Sequence, residues 1–262
     1  MTADREDSPT PLWETHAQWW QDNFTDGADA EYTEQILPMA AEHLAGAVDV
    51  LDVGTGEGQL ARVAAAADLG ERRVIGVDPI EAQLEAAGRR AGGPLYVRGA
   101  AADLPFIAGS FDAVVACLVF EHIGQVDRAL AEVGRVLRPG GRFLFFLNHP
   151  LLQVPGSGWI DDHILDEQYW RVGPYLVEDS SLEEVDKDVF VPFVHRPLSR
   201  YVNAMAGAGL FVQRMEEPPP PPGFLARAPE YEEAVSIPRL LFLRAAKAAT
   251  GSDPGSRASS RR

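Results

Sequence analysis

The feature that most limits the fold is an alternation of apolar, strand-length runs with helical segments between residues 48 and 148. In segments such as 58–69 and 126–137, apolar residues recur every three or four positions, which is typical of helices with one buried face. This alternation predicts an α/β fold with a parallel sheet, right-handed crossovers and helices on both faces. The predicted strands are residues 48–53, 73–78, 94–99, 111–120, 142–148, 210–216 and 237–245.

Less regular segments surround this core. Helices are predicted at 13–23 and 31–45, before the first strand, and at 198–209, before the sixth. Residues 149–196 carry many aromatic side chains and turns without a clean periodicity, so we expect an inserted cap over the strand ends. The expected domain division is one domain at 12–248, with its insertion at 149–196, and disordered tails at 1–11 and 249–262.

Charge and cysteine content limit the class of partner. The chain of 262 residues has 39 acidic and 23 basic side chains, a net charge of -16, and such a surface repels nucleic-acid backbones. The single cysteine excludes an internal disulfide and suits a reducing compartment. We find no signal peptide and no apolar run long enough to span a membrane. We therefore expect a cytoplasmic location, with no nucleic-acid and no membrane partner.

A glycine-rich turn follows the first strand, in the stretch "VLDVGTGEGQL". Gly54, Gly56 and Gly58 let the backbone turn tightly and let a ligand approach it. Their spacing differs from the G-x-G-x-x-G of dinucleotide sites. Glu57 within the turn and Asp52 before it favour a positively charged cofactor, such as the ammonium and sulfonium of S-adenosylmethionine, over a pyrophosphate. A plain strand-to-helix turn remains the alternative.

Two further acids follow the next strands. Asp78 ends the second strand, 20 residues after Gly58, where an acid reads ribose hydroxyls in this architecture. Its alternative role is to cap the helix that begins at Pro79. Asp103, on the loop after the third strand, is placed to accept from an adenine amino group, or to form a turn before Pro105.

Together these segments resemble the class I S-adenosylmethionine-dependent methyltransferases, in the small-molecule branch called UbiE/SmtA-like or type 11. The matching motifs are "VLDVGTGEGQLA", "VIGVDPIEAQL", "GAAADLPF", "FDAVVACLVFEHI" and "ALAEVGRVLRPGGRFLFF". The resemblance implies a Rossmann-like, seven-stranded, mostly parallel sheet whose last strand is antiparallel. It also implies S-adenosylmethionine as the cofactor. The implied cofactor residues are Asp52, Gly54, Thr55, Gly56, Asp78, Pro79, Ile80, Ala102, Asp103, Leu104, Leu118 and, as a lid, Trp20.

Candidates for catalysis and acceptor binding lie near the same edge. His122 and His149 end the fourth and fifth strands and are equal candidates for a base, which is needed only if the acceptor must lose a proton. In the insertion, Trp159, Tyr169, Trp170 and His195 are candidates for contacting the acceptor; the alternative is that these aromatics only pack a capping subdomain. We recognise no spacing of acids and histidines typical of a metal site.

The sequence therefore predicts a methyltransferase that moves a methyl group to O, N or C of a small molecule by in-line displacement. We expect a monomer or a homodimer. A non-catalytic protein that binds S-adenosylmethionine for regulation or interaction is one alternative. An NAD-dependent oxidoreductase is another, which the glycine spacing and Glu57 disfavour.

Overall fold

The computed structural model of this protein describes residues 10–66, 72–227 and 233–249. Its strands are β1 (Asp49–Val53), β2 (Arg73–Asp78), β3 (Leu95–Arg98), β4 (Phe111–Cys117), β5 (Leu137–Asn148), β6 (Gly158–Asp162), β7 (Glu167–Arg171), β8 (Asp179–Asp186), β9 (Val189–His195), β10 (Leu210–Glu216) and β11 (Leu240–Lys247). Its α-helices are α1 (Thr10–Phe24), α2 (Leu37–His43), α3 (Gln59–Ala66), α4 (Glu81–Arg90), α5 (Val126–Val136), α6 (Leu198–Gly207) and α7 (Pro222–Arg227).

Seven strands form the central sheet, in the order β10-β11-β5-β4-β1-β2-β3. Strands β1 to β5 pair in parallel, and β11 is antiparallel to both β5 and β10. The predicted fold class is confirmed, including the antiparallel last strand.

The central strands of the sheet are buried on both faces, as their apolar sequences predicted. Along β5, Phe143, Phe145 and Leu147 face one apolar cluster. Leu144 and Phe146 alternate with them and face the other. This alternation follows from the two-residue repeat of a strand, so a run without polar residues is buried on both sides.

Several element boundaries differ from the predictions for local reasons. Strand β4 ends at Cys117, because Leu118 adopts a positive φ of 53° and a 3-10 turn follows at Phe120–His122. The predicted helix 31–45 begins as a π-helical turn, Tyr32–Ile36, and becomes α-helical at Leu37 with Pro38 at its start. Residues 138–141, whose Arg-Pro-Gly-Gly sequence is typical of a turn, lie inside β5, since Leu137 already pairs with Phe111.

Residues 149–196, predicted as an irregular cap, contain two antiparallel hairpins. One is β6-β7 and the other is β8-β9. Strand β9 packs on helix α1 and on the turn after β4, so this hairpin lies beside the strand ends. The cap itself, like the domain division, remains a prediction.

Some predictions lie partly or wholly outside the described residues. These are the end of the helix 58–69 and most of the two tails. Within the described ranges, no helix has the length and hydrophobicity needed to cross a bilayer.

Candidate functional site

A pocket opens where β1, β2 and β4 end, and helix α1 forms its opposite wall. Its volume is about 940 Å³, counting the part that is open to solvent. The predicted site residues that it brings together are Trp20, Asp52, Gly54, Thr55, Gly56, Asp78, Pro79, Ile80, Leu118 and His122. A parallel sheet gathers them because consecutive strands end at one edge.

The three glycines of the turn are required for two different reasons, which are tight packing against neighbouring side chains and open space for a ligand. Gly54, Gly56 and Gly58 all have positive φ, at 71°, 55° and 82°. A Cβ on Gly54 would overlap the side chain of Val119, and one on Gly58 would overlap the ring of Tyr96. A Cβ on Gly56 would meet no atom within 4 Å, so this is the glycine whose surface is left open toward the pocket.

Two buried carboxyl groups flank the turn. Asp52 is 2% exposed and its Oδ2 accepts a hydrogen bond from Thr55 Oγ1 at 2.7 Å. Burial, reinforced by repulsion from Asp78, raises the pKa of Asp52 to about 7. Burial also raises the pKa of Asp78 to about 6, against hydrogen bonds that favour its charged form. A cation in the pocket stabilises the ionised form of both groups.

Asp78 organises the turn, and another residue caps the following helix. Its two carboxylate oxygens accept from the backbone N–H groups of Gly56 and Ile80, both at 2.9 Å. The carboxylate of Glu14 on α1 accepts from the N–H groups of Glu81 and Ala82 at 3.0 Å, at the start of α4. Asp78 and Glu14 therefore both bind backbone N–H groups at the start of α4, and the ribose role of Asp78 stays a prediction.

The negative charge of Glu57 is paired within the protein, whereas the sequence analysis treated it as available to a ligand. Its side chain is 1% exposed, and its Oε2 lies 2.7 Å from Arg62 Nη2 and 3.0 Å from Arg90 Nη1. These two arginines offset the negative charge of Glu57. The preference of the turn for a positive ligand therefore rests on Asp52 and Asp78.

The two candidate histidines have different environments. His122 lines the pocket, and its Nδ1 lies 2.7 Å from the carbonyl oxygen of Pro192. A carbonyl only accepts, so Nδ1 carries the proton and Nε2 keeps its lone pair. Burial lowers the pKa of His122 to about 4, and the ring is neutral near pH 7.

His149 lies outside the pocket lining, and both of its ring nitrogens have partners. Nδ1 accepts the N–H of Leu151 at 3.1 Å, so Nε2 carries the proton that is shared with Glu217 at 2.8 Å. This ring has no lone pair left for a substrate. The geometry therefore favours His122 over His149 as a base.

The cap hairpin β8-β9 and the residue that follows it hold the turn that carries His122. Besides the Pro192 carbonyl, the buried guanidinium of Arg196 donates to the carbonyls of Phe120, Ile123 and Gly124, at 3.1, 2.6 and 3.0 Å. Three carbonyls on one guanidinium fix the backbone of this turn.

A buried acid in the same turn adds a second anchor. Glu121 accepts from both the backbone N–H and the side-chain amide of Asn148, at 3.2 and 2.9 Å. Burial raises the pKa of Glu121 to about 7. The turn is thus tied to the end of β5 as well as to the cap.

Helix α1 covers the pocket with aromatic rings. Trp13 lies edge-on to Trp20, with centroids 5.5 Å apart, and edge-on to His122 at 4.8 Å. The ring of Phe193 also contacts His122, with centroids 4.6 Å apart. Trp13 was not among the predicted residues, although its seven-residue spacing from Trp20 places both on one helix face.

Tyr32 and Gln83 also line the pocket, and neither had a clear signal in the sequence. Tyr32 and Cys117 line the pocket floor, with the thiol 3.8 Å from the phenol oxygen. Gln83 lines it from α4 and accepts from the amide of Gln21 at 3.0 Å. The residues in each of these two pairs are 62 or more positions apart in sequence, so only the packing of the tertiary structure brings them into contact.

Part of the predicted site lies elsewhere. Ala102, Asp103 and Leu104 are not in the pocket lining; the side chain of Asp103 is 85% exposed, near Arg128, and Leu104 is in the core. The predicted acceptor residues are also outside the pocket lining. The rings of Trp159 and Trp170 pack edge-on against each other, with centroids 5.6 Å apart. Tyr169 is exposed, and His195 Nε2 lies 2.8 Å from the Tyr175 carbonyl oxygen. Their roles stay predictions.

Comparison with known proteins now identifies the domain. Residues 51–145 match the family model described as a methyltransferase domain. A solved S-adenosylmethionine dependent methyltransferase from Mesorhizobium loti shares 27% identity and a TM-score of 0.71, covering 85% of this chain and 99% of its own. Residues 51–145 therefore form a methyltransferase domain. The family resemblance inferred from the motifs is confirmed, and S-adenosylmethionine is the cofactor that this family implies.

Curated relatives named as methyltransferases match part of this chain. A ubiquinone/menaquinone biosynthesis C-methyltransferase UbiE of Methylobacterium nodulans is 39% identical over 132 residues, which is 48% of this chain and 50% of the relative. A demethylmenaquinone methyltransferase of Symbiobacterium thermophilum is 37% identical over 112 residues, 40% and 45% of the two chains. The chain spans about half the length of the curated relatives it matches.

Proposed function

We propose that this protein binds S-adenosylmethionine in the pocket at the ends of β1, β2 and β4 and transfers its methyl group to a small, apolar, ring-bearing acceptor. The observation that carries the proposal is the placement of Asp52, Asp78 and His122 in one pocket lining. The two carboxyl groups suit the positive charge and the ribose hydroxyls of the cofactor, while the apolar surface of Ile80 suits its adenine.

The residues present fit the cofactor. A buried carboxylate held by two backbone N–H groups accepts well from paired hydroxyls, and Asp78 is held in this way. Gly56 leaves open space where any other residue would place a Cβ. When bound, S-adenosylmethionine supplies a methyl group on a positively charged sulfur, which an acceptor atom displaces in line.

The chain contributes positioning, exclusion of water and a place for the proton. The rings of Trp13 and Trp20 cover the pocket. The neutral His122 presents Nε2 to take the proton that the acceptor loses as its new bond to carbon forms. A pKa near 4 makes His122 a weak base, which is sufficient for a hydroxyl oxygen or an aromatic carbon, because the cation formed when either is methylated is strongly acidic.

The aromatic walls around His122 support a ring-bearing acceptor. Trp13 and Phe193 contact the imidazole at 4.8 and 4.6 Å, and aromatic rings favour edge and stacked contacts at such distances. Two relatives are a ubiquinone/menaquinone biosynthesis C-methyltransferase and a demethylmenaquinone methyltransferase, so hydroquinones and phenols are the acceptors to test first. A cytoplasmic location and a monomer or homodimer remain predictions.

Calorimetric titration with S-adenosylmethionine and with S-adenosylhomocysteine tests the cofactor. We expect binding in the wild type and at least a tenfold loss in Asp78→Asn, because the charged acceptor is removed. Glu85→Gln is the matched control, since it removes one carboxylate from the exposed side of the adjacent helix α4. Absence of binding to either ligand, together with binding of NAD, would refute the proposal.

Turnover on hydroquinones and phenols then tests catalysis. His122→Asn keeps a donor for the Pro192 carbonyl and removes the Nε2 lone pair. We expect kcat to fall about 100-fold or more while cofactor binding is retained. Equal turnover in His122→Asn would remove the base role, and cofactor binding without any turnover would favour the regulatory alternative.

A further inference from the structure

A second cleft lies at the opposite edge of the sheet. It has a volume of about 1440 Å³, including its open mouth, and is lined by the starts of β5 and β10 and the end of β11. Four cationic side chains line it, Arg138, Arg142, Arg244 and Lys247, and we call it the basic cleft. The length of β4, about 20 Å, separates it from the methyltransferase pocket.

The charge of the basic cleft contrasts with that of the chain, which is -16 overall. Among the described residues, six cationic side chains and two carboxylates interact along this edge, and this set has a net charge of +4. They are Arg72, Arg73, Arg138, Arg142, Arg244 and Lys247, with Asp49 and Asp112. Scattered surface charge would not concentrate in this way on so acidic a protein.

Only some of these cationic side chains form ion pairs with carboxylates. Arg138 contacts both Asp49 and Asp112. In the described part of the chain, Arg142, Arg244 and Lys247 form no ion pair. Arg142 and Lys247 each donate to a backbone carbonyl, of Ala45 and Leu137, at 2.7 Å.

Arg244 is the least satisfied of the group. Its Nε is buried and has no hydrogen-bond partner among the described residues. The register between β5 and β11 places Arg244 opposite Leu144 and Ala246 opposite Arg142. Residues two apart on a strand share a face, so Arg142 and Arg244 project from the same side of the sheet. Burial and repulsion from Arg244 and Arg72 lower the pKa of Arg142.

Three cations without carboxylate partners match an anion of several charges better than a single carboxylate. A guanidinium offers parallel donors to two oxygens, the geometry that arginine uses for phosphate. We propose that the basic cleft binds the phosphate groups of a small diphosphate-type anion, with Arg244 and Arg142 as its principal donors. This site is independent of the proposed methyl transfer.

The test is calorimetric titration of the full chain with inorganic pyrophosphate at low ionic strength. We expect binding of one anion per chain, weakened at least tenfold in Arg244→Gln and in Arg142→Gln. Arg128→Gln removes one exposed charge from α5 and is the matched control, expected to bind as the wild type does. Thermal unfolding of all three variants checks that each is folded.

Parallel titrations identify the source of the phosphate. Uridine diphosphate binding more tightly than pyrophosphate, and depending on Arg244, would assign the cleft to an organic diphosphate; equal binding would assign it to the free anion. No binding of pyrophosphate at millimolar concentration would overturn the proposal, as would unchanged binding in a folded Arg244→Gln. Tighter, Arg244-dependent binding of a DNA duplex would also overturn it, in favour of a nucleic-acid surface.

Discussion

Asp52 offers a test in which stability and ligand binding are expected to change in opposite directions. The substitution is Asp52→Asn, which keeps an oxygen to accept from Thr55 and removes the charge. The pKa of Asp52 rises from an ordinary 3.8 to about 7 in the folded protein, chiefly through burial. The unfolded chain ionises near pH 4, whereas the folded chain holds this proton until about pH 7.

The direction of the effect follows from that difference. A raised folded pKa gives stability that is present at low pH and is lost as the pH rises through about 7. One pKa unit corresponds to about 1.4 kcal/mol. Between pH 5 and pH 8, ionisation of Asp52 therefore costs the folded state about 2 to 3 kcal/mol. Asn has no such cost, so Asp52→Asn gains stability relative to the wild type over this range.

Urea unfolding at pH 5 and pH 8, without cofactor, measures this gain. Asp112→Asn is the matched control: the pKa of Asp112 is lowered, with hydrogen bonds from Arg138 and from backbone N–H groups outweighing the effect of burial. Its contribution changes only below about pH 4, so Asp112→Asn should differ from the wild type equally at both pH values. Asp52→Asn should also bind S-adenosylmethionine more weakly. A stability difference for Asp52→Asn that is the same at pH 5 and pH 8 would refute the reasoning.

Three other substitutions test the turn, the core and the cap. Gly54→Ala forces a Cβ into the side chain of Val119 at a positive φ, so we expect calorimetry to show loss of cofactor binding; unchanged affinity would contradict this. Phe146→Ala empties a fully buried site and should reduce the free energy of unfolding by about 3 to 5 kcal/mol, measured by urea titration; a loss below about 1 kcal/mol would mean that the site collapses. Arg196→Lys keeps the charge but loses the fork that binds three carbonyls, so kcat should fall while the Kd of S-adenosylmethionine changes little, if this residue positions His122; equal changes in both would indicate a general structural role.

The sequence by itself determined the sheet and one side of the pocket. Apolar runs without polar interruption predict strands buried on both faces, and the strand ends then place Asp52, Gly56 and Asp78 at one edge. The residues involved either lie close together in sequence or are related by the two-residue repeat of a strand. Local patterning is sufficient to predict them, because strand and helix periods differ.

Only the tertiary structure decided which histidine has a free lone pair and which acids are neutralised. His122 and His149 are equivalent as sequence signals, yet one contacts Pro192 and the other Glu217, 70 and 68 residues away. In the same way, Arg90 on helix α4 offsets the negative charge of Glu57, 33 residues before it in the sequence. Hydrogen-bond partners of this kind depend on how the cap, α1 and the sheet pack together, and no periodicity in the chain records that packing.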